Sequence, residues 1–177
     1  FYIEGYMVTS DENFNAVITV LEFLKDKSVL KALSLSDPGI VMGFRDKFEI
    51  IESYGIDMVF GNDDEAKAFS GKETLDEAVT FLKEKSFTSL ITTGADGSIV
   101  IADGSEELVS GEKINPIDTN GAGDMFAGSF MYAYLEKMSL ASCAKFANYA
   151  ASKVVETFGP RLSKDGYLEV KNNIQKY

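Results

Sequence analysis

Apolar positions recur along the chain in two periods, and the two periods predict strands and helices in turn. Short runs rich in β-branched and aromatic residues predict strands. We expect them over residues 1–8 and within the segments VLKALSLS, DMVFG, SLITT, GSIVIAD and ELVSGEKI, the last as edge strands. Apolar residues three and four positions apart predict helices. The first covers DENFNAVITVLEFLKDK, and its apolar face holds Phe14, Ile18, Leu21 and Leu24.

Further helices are expected where turn and capping residues bracket the same spacing. They cover FRDKFEIIESYG, which ends at Gly55, and residues 63–70, 74–86, 122–136, 139–157 and about 163–175. Pro38 and Gly39 are expected to break the chain. Strands that alternate with helices predict an α/β protein with a Rossmann-like, mainly parallel sheet covered on both faces. In such sheets, ligands bind beside the carboxyl ends of strands and the N-termini of helices.

Composition and charge narrow the classes of function. The 177 residues can bury a sizeable core. A formal net charge of −11 argues against nucleic acid as a partner, although local backbone N–H groups can still bind ATP. The single cysteine, Cys143, excludes an internal disulfide and favours a cytoplasmic location, and the absence of histidine removes histidine-based catalysis. No apolar run approaches the roughly 20 residues of a spanning helix, so we expect no membrane partner.

The segment DTNGAGD, from Asp118 to Asp124, leads a flexible turn into an apolar helical pattern. Gly121 and Gly123 can aim successive backbone N–H groups into one concavity. The helix that starts near Ala122 adds the positive end of its dipole, which makes an anion hole suited to a transferring phosphoryl group. Asp124 lies at the rim, where a carboxylate can accept the proton of an attacking hydroxyl. The alternative is a turn whose aspartate only complements the helix dipole.

The string DTNGAGD followed by MFAGSF resembles the C-terminal signature of the PfkB, or ribokinase-like, carbohydrate and nucleoside kinases. The resemblance implies that Asp124 is the catalytic base and that the amides of Gly121, Ala122 and Gly123 form the anion hole. Asn120 stands where sugar kinases often have threonine, and this form of the string is typical of adenosine-kinase-like members. The implied fold is a ribokinase-type three-layer α-β-α core.

The segment FGNDDEAKAF resembles the N-x-x-E motif of the same family. The resemblance implies that Asn62 and Glu65 organise magnesium and phosphate through ordered water, in keeping with the reluctance of Mg²⁺ to lose its waters. The alternative is structural, with Asn62 as the N-cap of a helix and Glu65 at its third position. The two roles are compatible.

Two weaker resemblances complete the nucleotide site. Thr92, Gly94 and Gly97 match the family's T-x-G-x-x-G turn, which approaches ATP with its backbone, although a hairpin turn explains the same residues. Asn148 lies in FANYAASKVVETFGPRL, which resembles the family helix that walls the adenine pocket. The alternative for this segment is that its alanines let two helices pack closely.

The resemblance also implies a monovalent-cation site of the potassium type. Asp118 and the carbonyl of Asn120 would form one half of it, and Gly159 and Ser163 fall near the other half. The cofactors implied by the family are therefore ATP and Mg²⁺, with K⁺ as an open question.

The resemblance spans nearly the whole chain but only the C-terminal half of the family. Phe1 opens directly into a strand-like run, so we expect residues 1–177 to be the C-terminal, nucleotide-binding part of a single ribokinase-like domain. The remaining part of the family carries a substrate-binding aspartate, a first glycine-rich signature and a lid that often mediates homodimers.

The leading expectation for function is an ATP-dependent kinase that phosphorylates a hydroxymethyl group of a nucleoside such as adenosine. A sugar such as fructose or ribose is the alternative acceptor. Two other classes stay open, namely a nucleotide-binding module without turnover and a structural or partner-binding domain. Asp124 favours an enzyme, because a module that only binds nucleotide needs no base.

Overall fold

A computed structural model describes all residues from 1 to 177, with six strands and eight α-helices. The strands are β1 (Tyr2–Glu4), β2 (Ala32–Ser34), β3 (Met58–Asn62), β4 (Thr88–Thr92), β5 (Gly97–Ala102) and β6 (Ser105–Ser110). The helices are α1 (Asp11–Leu24), α2 (Pro38–Gly43), α3 (Arg45–Ser53), α4 (Asp63–Ser70), α5 (Leu75–Leu82), α6 (Ala122–Leu135), α7 (Leu140–Val155) and α8 (Lys164–Asn172). Short 3-10 turns cover Gly5–Thr9, Gly94–Asp96 and Ile174–Lys176.

The strands form one sheet in the order β1-β2-β3-β4-β5-β6. β1 pairs with β2, and β2 with β3, in parallel, so that Ile3 lies opposite Leu33 and Leu33 opposite Val59. Consecutive residues of β2, β3 and β4 are buried, which is the pattern of parallel strands that are covered on both faces. The predicted α/β class with a mainly parallel sheet is therefore confirmed.

Backbone contacts divide the chain into two compact units, and the first comprises Phe1–Ile91 with Ile101–Glu106. Its helices bury one face each, with Leu21 of α1 and Phe48 of α3 among the fully buried side chains. The amphipathic spacing of the sequence accounts for these faces. Along α1, however, Val17 is buried with Leu21 and Leu24, whereas two residues predicted on the same face are only half-buried, Phe14 and Ile18.

The first strand is shorter than predicted. β1 ends at Glu4 and a 3-10 turn follows, so the strand prediction over residues 1–8 is wrong beyond residue 4. The N–H of Gly5 donates to Ser36 Oγ at 2.9 Å. A side-chain oxygen thus satisfies the backbone donor at the point where the ladder stops.

A helix begins where Pro38 and Gly39 were expected to break the chain. Asp37 is the N-cap of α2, and its Oδ1 accepts hydrogen bonds from the N–H groups of Gly39 at 2.7 Å and Ile40 at 3.0 Å. Proline is well suited to the first turn of a helix, because its fixed φ matches and its N–H would be unsatisfied there anyway. The predicted break is therefore wrong, since these residues start a helix.

The second unit comprises Thr92–Val100 with Glu107–Tyr177. α6 packs against α7, and the rings of Phe126 and Phe130 lie 6.3 Å apart in its core. α7 contributes small, fully buried residues to the same core: Cys143, Ala144, Ala147 and Ala150. Burial raises the pKa of the Cys143 thiol to about 11, which makes this cysteine an inert core residue at neutral pH.

The predicted and observed bounds of the elements differ most after β6. This strand ends at Ser110, so the predicted edge strand over GEKI is wrong. The N–H of Gly111 donates to the carbonyl of Asp96 at 3.0 Å, which turns the chain away from the ladder, and residues 111–121 form no helix or strand. The C-terminal helices end within a few residues of their predicted bounds. None of the helices is long and apolar enough to cross a membrane.

Candidate active site

The start of α6 lies in the second unit and depends on Gly121. Gly121 is the N-cap of the helix and has a φ of 78°, a left-handed conformation that side-chain-bearing residues rarely adopt. A Cβ added at this position would collide with the carbonyl oxygen of Pro160. Both constraints require glycine here, which explains the first glycine of DTNGAGD in physical terms.

Backbone donors cluster at this helix start. The N–H groups of Gly121, Gly123 and Asp124 donate no hydrogen bond within the protein. The N–H of Ala122 differs, because it donates to the carbonyl of Thr119 at 3.3 Å. Three unsatisfied donors at the positive end of a helix dipole are the arrangement that suits an anion. The role of the Ala122 amide in an anion hole stays a prediction.

Asp118 holds two loops together next to this concavity. Its Oδ1 accepts from the N–H of Asn120 at 3.0 Å, and its Oδ2 accepts from the N–H of Gly159 at 3.0 Å. These two backbone hydrogen bonds, with Asn120 the stronger, lower the pKa of the Asp118 carboxyl below its usual value. Asp118 is therefore anionic at neutral pH and ties the turn before α6 to the loop after α7. Ser163 caps α8, where its Oγ accepts from the N–H of Gly166 at 3.2 Å, and its place near a cation loop stays a prediction.

A cavity of about 470 Å³ in the second unit, the first cavity, lies on one side of the α6 start. Six of the predicted site residues line it: Thr92, Gly94, Gly97, Ala122, Gly123 and Asn148. The lining also includes residues that the sequence does not single out, among them Lys113, Ile114 and Pro116. Their segment carries no motif and is in part predicted as an edge strand, so only the absence of regular structure over 111–121 indicates its role.

The turn after β4 is shaped by its second glycine. Gly97 has a φ of 110°, and a Cβ added there would collide with the carbonyl of Val109. The N–H of Thr93 donates to the carbonyl of Gly97 at 2.9 Å, which closes the turn. The turn between β4 and β5 thus accounts for the glycines of this motif. The same turn also lines the first cavity, through Thr92, Gly94 and Gly97.

Asn148 connects the first cavity to β6. Its side chain is 8% exposed, and its Nδ2 donates to the carbonyls of Val109 at 3.1 Å and Ser110 at 3.3 Å. The side chain therefore has a structural role in addition to the wall position that the sequence predicted.

We expect Asn148→Ala to lower the free energy of unfolding by about 1–3 kcal/mol, because it leaves the carbonyl of buried Val109 without this donor. Urea unfolding measures the change. Asn172→Ala is the matched control, since Asn172 is exposed on α8 and should shift stability by less than about 0.5 kcal/mol. Equal effects of the two substitutions would contradict the structural role of Asn148.

A second cavity of about 750 Å³ also borders the α6 start within the second unit. Gly121 and Asp124 line this second cavity and do not line the first. The residues that line the first cavity therefore do not include Asp124. Donor groups at one helix start thus border two cavities, and the carboxylate belongs to the second.

Asn62 and Glu65 lie in the first unit and form a reciprocal capping box at the start of α4. Asn62 Oδ1 accepts from the N–H of Glu65 at 2.8 Å. Glu65 Oε2 accepts from the N–H of Asn62 at 3.0 Å, and Oε1 accepts from Asn62 Nδ2 at 2.9 Å. The structural alternative for this motif is therefore correct, and it leaves lone pairs on both Glu65 oxygens for a second role.

Glu65 is a buried carboxyl in an acidic neighbourhood. The residue is 7% exposed, and its burial raises the pKa of the carboxyl above its usual value. The hydrogen bond from Asn62 opposes the rise, whereas the charges of Asp37, Asp63 and Asp64 add to it.

We expect Glu65→Gln to flatten the pH dependence of stability. Because the folded pKa of Glu65 is raised, its stabilising contribution is present below the unfolded pKa of about 4.3 and is lost as pH rises through the folded pKa. The unfolding free energy of the variant should therefore fall less than that of the wild type over this interval. Urea titrations at a series of pH values measure the difference, and parallel profiles for the two proteins would contradict it.

The fold and the helix start with its unsatisfied donors define an α/β protein of the ribokinase type. The chain belongs to the pfkB family of carbohydrate kinases, whose family description matches residues 1–165. No group of three or more acidic or cysteine side chains is arranged to hold a metal ion directly.

Named relatives fall within the same family. The chain is 32% identical to adenosine kinase 2 of Arabidopsis thaliana over 174 residues, which cover 90% of this chain and 50% of the relative. It is 34% identical to the ribokinase of Haemophilus influenzae over 114 residues, which cover 61% of this chain and 37% of the relative.

Solved structures agree with these relatives. The adenosine kinase of Sinorhizobium meliloti superposes with a TM-score of 0.89 at 29% identity, over 97% of this chain and 53% of that one. The chain thus spans about half the length of adenosine kinase 2 and of this solved structure. The predicted resemblance and fold are confirmed, whereas the assignment of residues 1–177 to a single domain and the roles of the site residues stay predictions.

Proposed function

We propose that this chain is the nucleotide-binding and base-carrying part of an ATP-dependent kinase that phosphorylates a hydroxymethyl group of a nucleoside such as adenosine. The observation that carries the proposal is the start of α6. There, three unsatisfied N–H groups and Asp124 lie together at the border of two cavities. Phosphoryl transfer needs a donor cavity, an anion hole and a base at the acceptor hydroxyl, and these parts meet that need.

The first cavity is the proposed nucleotide site. Its 470 Å³ falls within the usual range of small-molecule pockets. Backbone at Gly94 and Gly97 would approach the nucleotide closely, and Ala122 and Gly123 would place the γ-phosphate at the helix dipole. Asn148 would form part of the wall beside the base.

The reaction then uses groups of α6. The acceptor hydroxyl gives its proton to a carboxylate oxygen of Asp124, and the oxygen forms a new bond to the γ-phosphorus. The bond between the γ-phosphorus and the β–γ bridging oxygen breaks, and its electron pair leaves with ADP. The N–H groups of Gly121, Gly123 and Asp124 stabilise the charge that spreads over the transferring phosphoryl oxygens.

Oxygen atoms of the chain would suit two kinds of cation. Glu65 and Asn62 retain oxygen lone pairs that would hold the water shell of Mg²⁺, which neutralises phosphate charge when it is bound. Asp118 keeps lone pairs beyond its two hydrogen bonds, and with the carbonyl of Asn120 it would accept a monovalent cation such as K⁺. This cation would reinforce the tie between the two loops that Asp118 already makes.

The nucleoside acceptor is favoured by the similarity to adenosine kinase 2, which covers 90% of this chain. A sugar acceptor is the second candidate, because the family is one of carbohydrate kinases and the ribokinase similarity covers 61% of the chain. A cytoplasmic location, a homodimer formed through the family's lid and the lack of nucleic-acid and membrane partners belong to the same proposal.

An ATP-consumption screen of the whole protein against nucleosides and sugars tests the proposal. ADP should form with Mg-ATP and adenosine, and more slowly with ribose or fructose. ATP binding without turnover on any acceptor would favour a binding module, and no thermal shift with Mg-ATP would favour a structural domain. A preference for a sugar would replace the nucleoside assignment.

A further inference from the structure

Positively charged side chains line the second cavity together with the carboxylate of Asp124. Its lining includes Gly121, Asp124, Tyr132, Arg161, Tyr167 and Lys171. The chain has 28 acidic and 17 basic residues. Two positively charged side chains at one cavity therefore contrast with the net negative charge of the chain. Lys171 lies over the ring of Tyr132, with Nζ 5.9 Å from the ring centroid, and forms no ion pair.

Arg161 comes directly after two loop residues that contact the turn before α6. Gly159, two residues earlier, donates its N–H to Asp118 Oδ2 at 3.0 Å. Pro160 lies so close to Gly121 that no Cβ would fit between them. The backbone before Arg161 is therefore held against the N-cap of α6, and the position of this arginine is coupled to that of the anion hole.

The guanidinium of Arg161 has no internal partner. The chain contains two arginines, and the other one, Arg45, has a structural role because its Nη2 donates to the carbonyl of Ala68 at 2.8 Å. Arg161 makes no hydrogen bond and no ion pair, although it lines the same cavity as the carboxylate of Asp124. An arginine fork that is left free beside a base is available to bind phosphate oxygens.

We propose that Arg161 is a further catalytic residue, whose guanidinium binds the phosphoryl group while it passes from the nucleotide to the acceptor hydroxyl at Asp124. This inference rests on the proposed function. In the transfer step, the hydroxyl proton goes to Asp124, the new O–P bond forms at the acceptor, and the electron pair of the broken bond leaves with ADP. The transferred group is then next to Asp124, in the cavity that Arg161 also lines, so its developing charge is within the surroundings of the guanidinium.

A different role would give a different kinetic result. If Arg161 bound an anionic group on the acceptor, its removal would weaken acceptor binding and leave the chemical step unchanged. If Arg161 were only structural, its removal would lower stability. An exposed side chain without hydrogen bonds gives no reason to expect such a loss.

Steady-state kinetics of Arg161→Gln in the whole protein, with Mg-ATP and the acceptor found in the screen, test the inference. We expect kcat to fall about 100-fold, with both KM values within about threefold of the wild type. Added guanidinium ion should partly restore Arg161→Gly. Arg161→Lys should retain more activity than Arg161→Gln, because it keeps the charge but loses the fork.

Lys164→Gln is the matched control, because it removes one exposed positive charge nearby and does not line the cavity. It should leave kcat unchanged, and the thermal unfolding temperature of Arg161→Gln should equal that of the wild type. An unchanged kcat in Arg161→Gln, or a loss confined to the KM of the acceptor, would overturn the inference. Loss of activity in Asp124→Asn with full activity in Arg161→Gln would overturn this inference alone, whereas full activity in Asp124→Asn would overturn the assignment of the base. No transfer to any acceptor by the wild type would overturn the proposed function itself.

Discussion

Asp124→Asn is expected to lower kcat of the whole protein by about 10²–10⁴-fold while the affinity for Mg-ATP stays unchanged. Asparagine keeps the size of the side chain and the N–H group at this position but cannot accept the acceptor proton. Asp124 lines the second cavity and not the first, so its replacement should leave nucleotide binding intact. Steady-state kinetics together with calorimetric titration of Mg-ATP measure the two effects separately.

Asp165→Asn is the matched control for this variant. Asp165 is also an exposed carboxylate in the first turn of a helix, α8, and it lines neither of the two cavities. Its replacement should leave kcat unchanged. A normal kcat in Asp124→Asn would show that the base is elsewhere, and a parallel loss in Asp165→Asn would show that helix-dipole effects rather than base catalysis cause the change.

Gly121→Ala is expected to lower both stability and activity. The left-handed φ of 78° alone costs a non-glycine residue about 1–2 kcal/mol, and the collision with Pro160 adds to this cost. Relief of the collision requires the loop that carries Gly159 and Pro160 to move away from the turn. The N–H donors of the anion hole would shift with it, so kcat should fall by at least about tenfold even in molecules that remain folded.

Gly128→Ala on the same helix is the control for stability. Gly128 lies in the interior of α6, and a Cβ added there meets no atom within 4 Å. Because alanine favours helix over glycine, this variant should be more stable by about 0.5–1 kcal/mol. Thermal and urea unfolding of the two variants compare them directly. Equal stability of Gly121→Ala and the wild type would contradict the described geometry of the helix start.

The strongly periodic segments and the motif turns could be predicted from the sequence. The helix that begins at Ala122 and the capping box of Asn62 and Glu65 follow from local chemistry, since the groups involved lie within a few residues of each other. The alternation of strands and helices likewise predicted the parallel sheet.

Contacts between distant segments account for what was missed. The first strand stops at Glu4 because Ser36, far along the chain, supplies the acceptor for Gly5, and no local pattern shows this. The start of α2 was missed for a local reason, because Pro38 and Gly39 are typical of turns as well as of helix starts.

The composition of the cavities also depends on the fold. Lys113 and Ile114 line the first cavity, although their segment resembles an edge strand. Arg161 gains its position through the contact of Pro160 with Gly121 and through the bond from Gly159 to Asp118, which join two loops about forty residues apart. The motif predicts the type of reaction, whereas the other residues that line the cavities become visible only in the structure.

Transfer of labelled γ-phosphate from Mg-ATP to adenosine by the whole protein is the direct test of kinase activity, with the product identified by mass spectrometry. We expect the label in adenosine monophosphate, esterified to the hydroxymethyl oxygen, and we expect Asp124→Asn to abolish this product. Label that appears only in inorganic phosphate, or in no alcohol among the nucleosides and sugars tested, would show that the protein is not a kinase of this type.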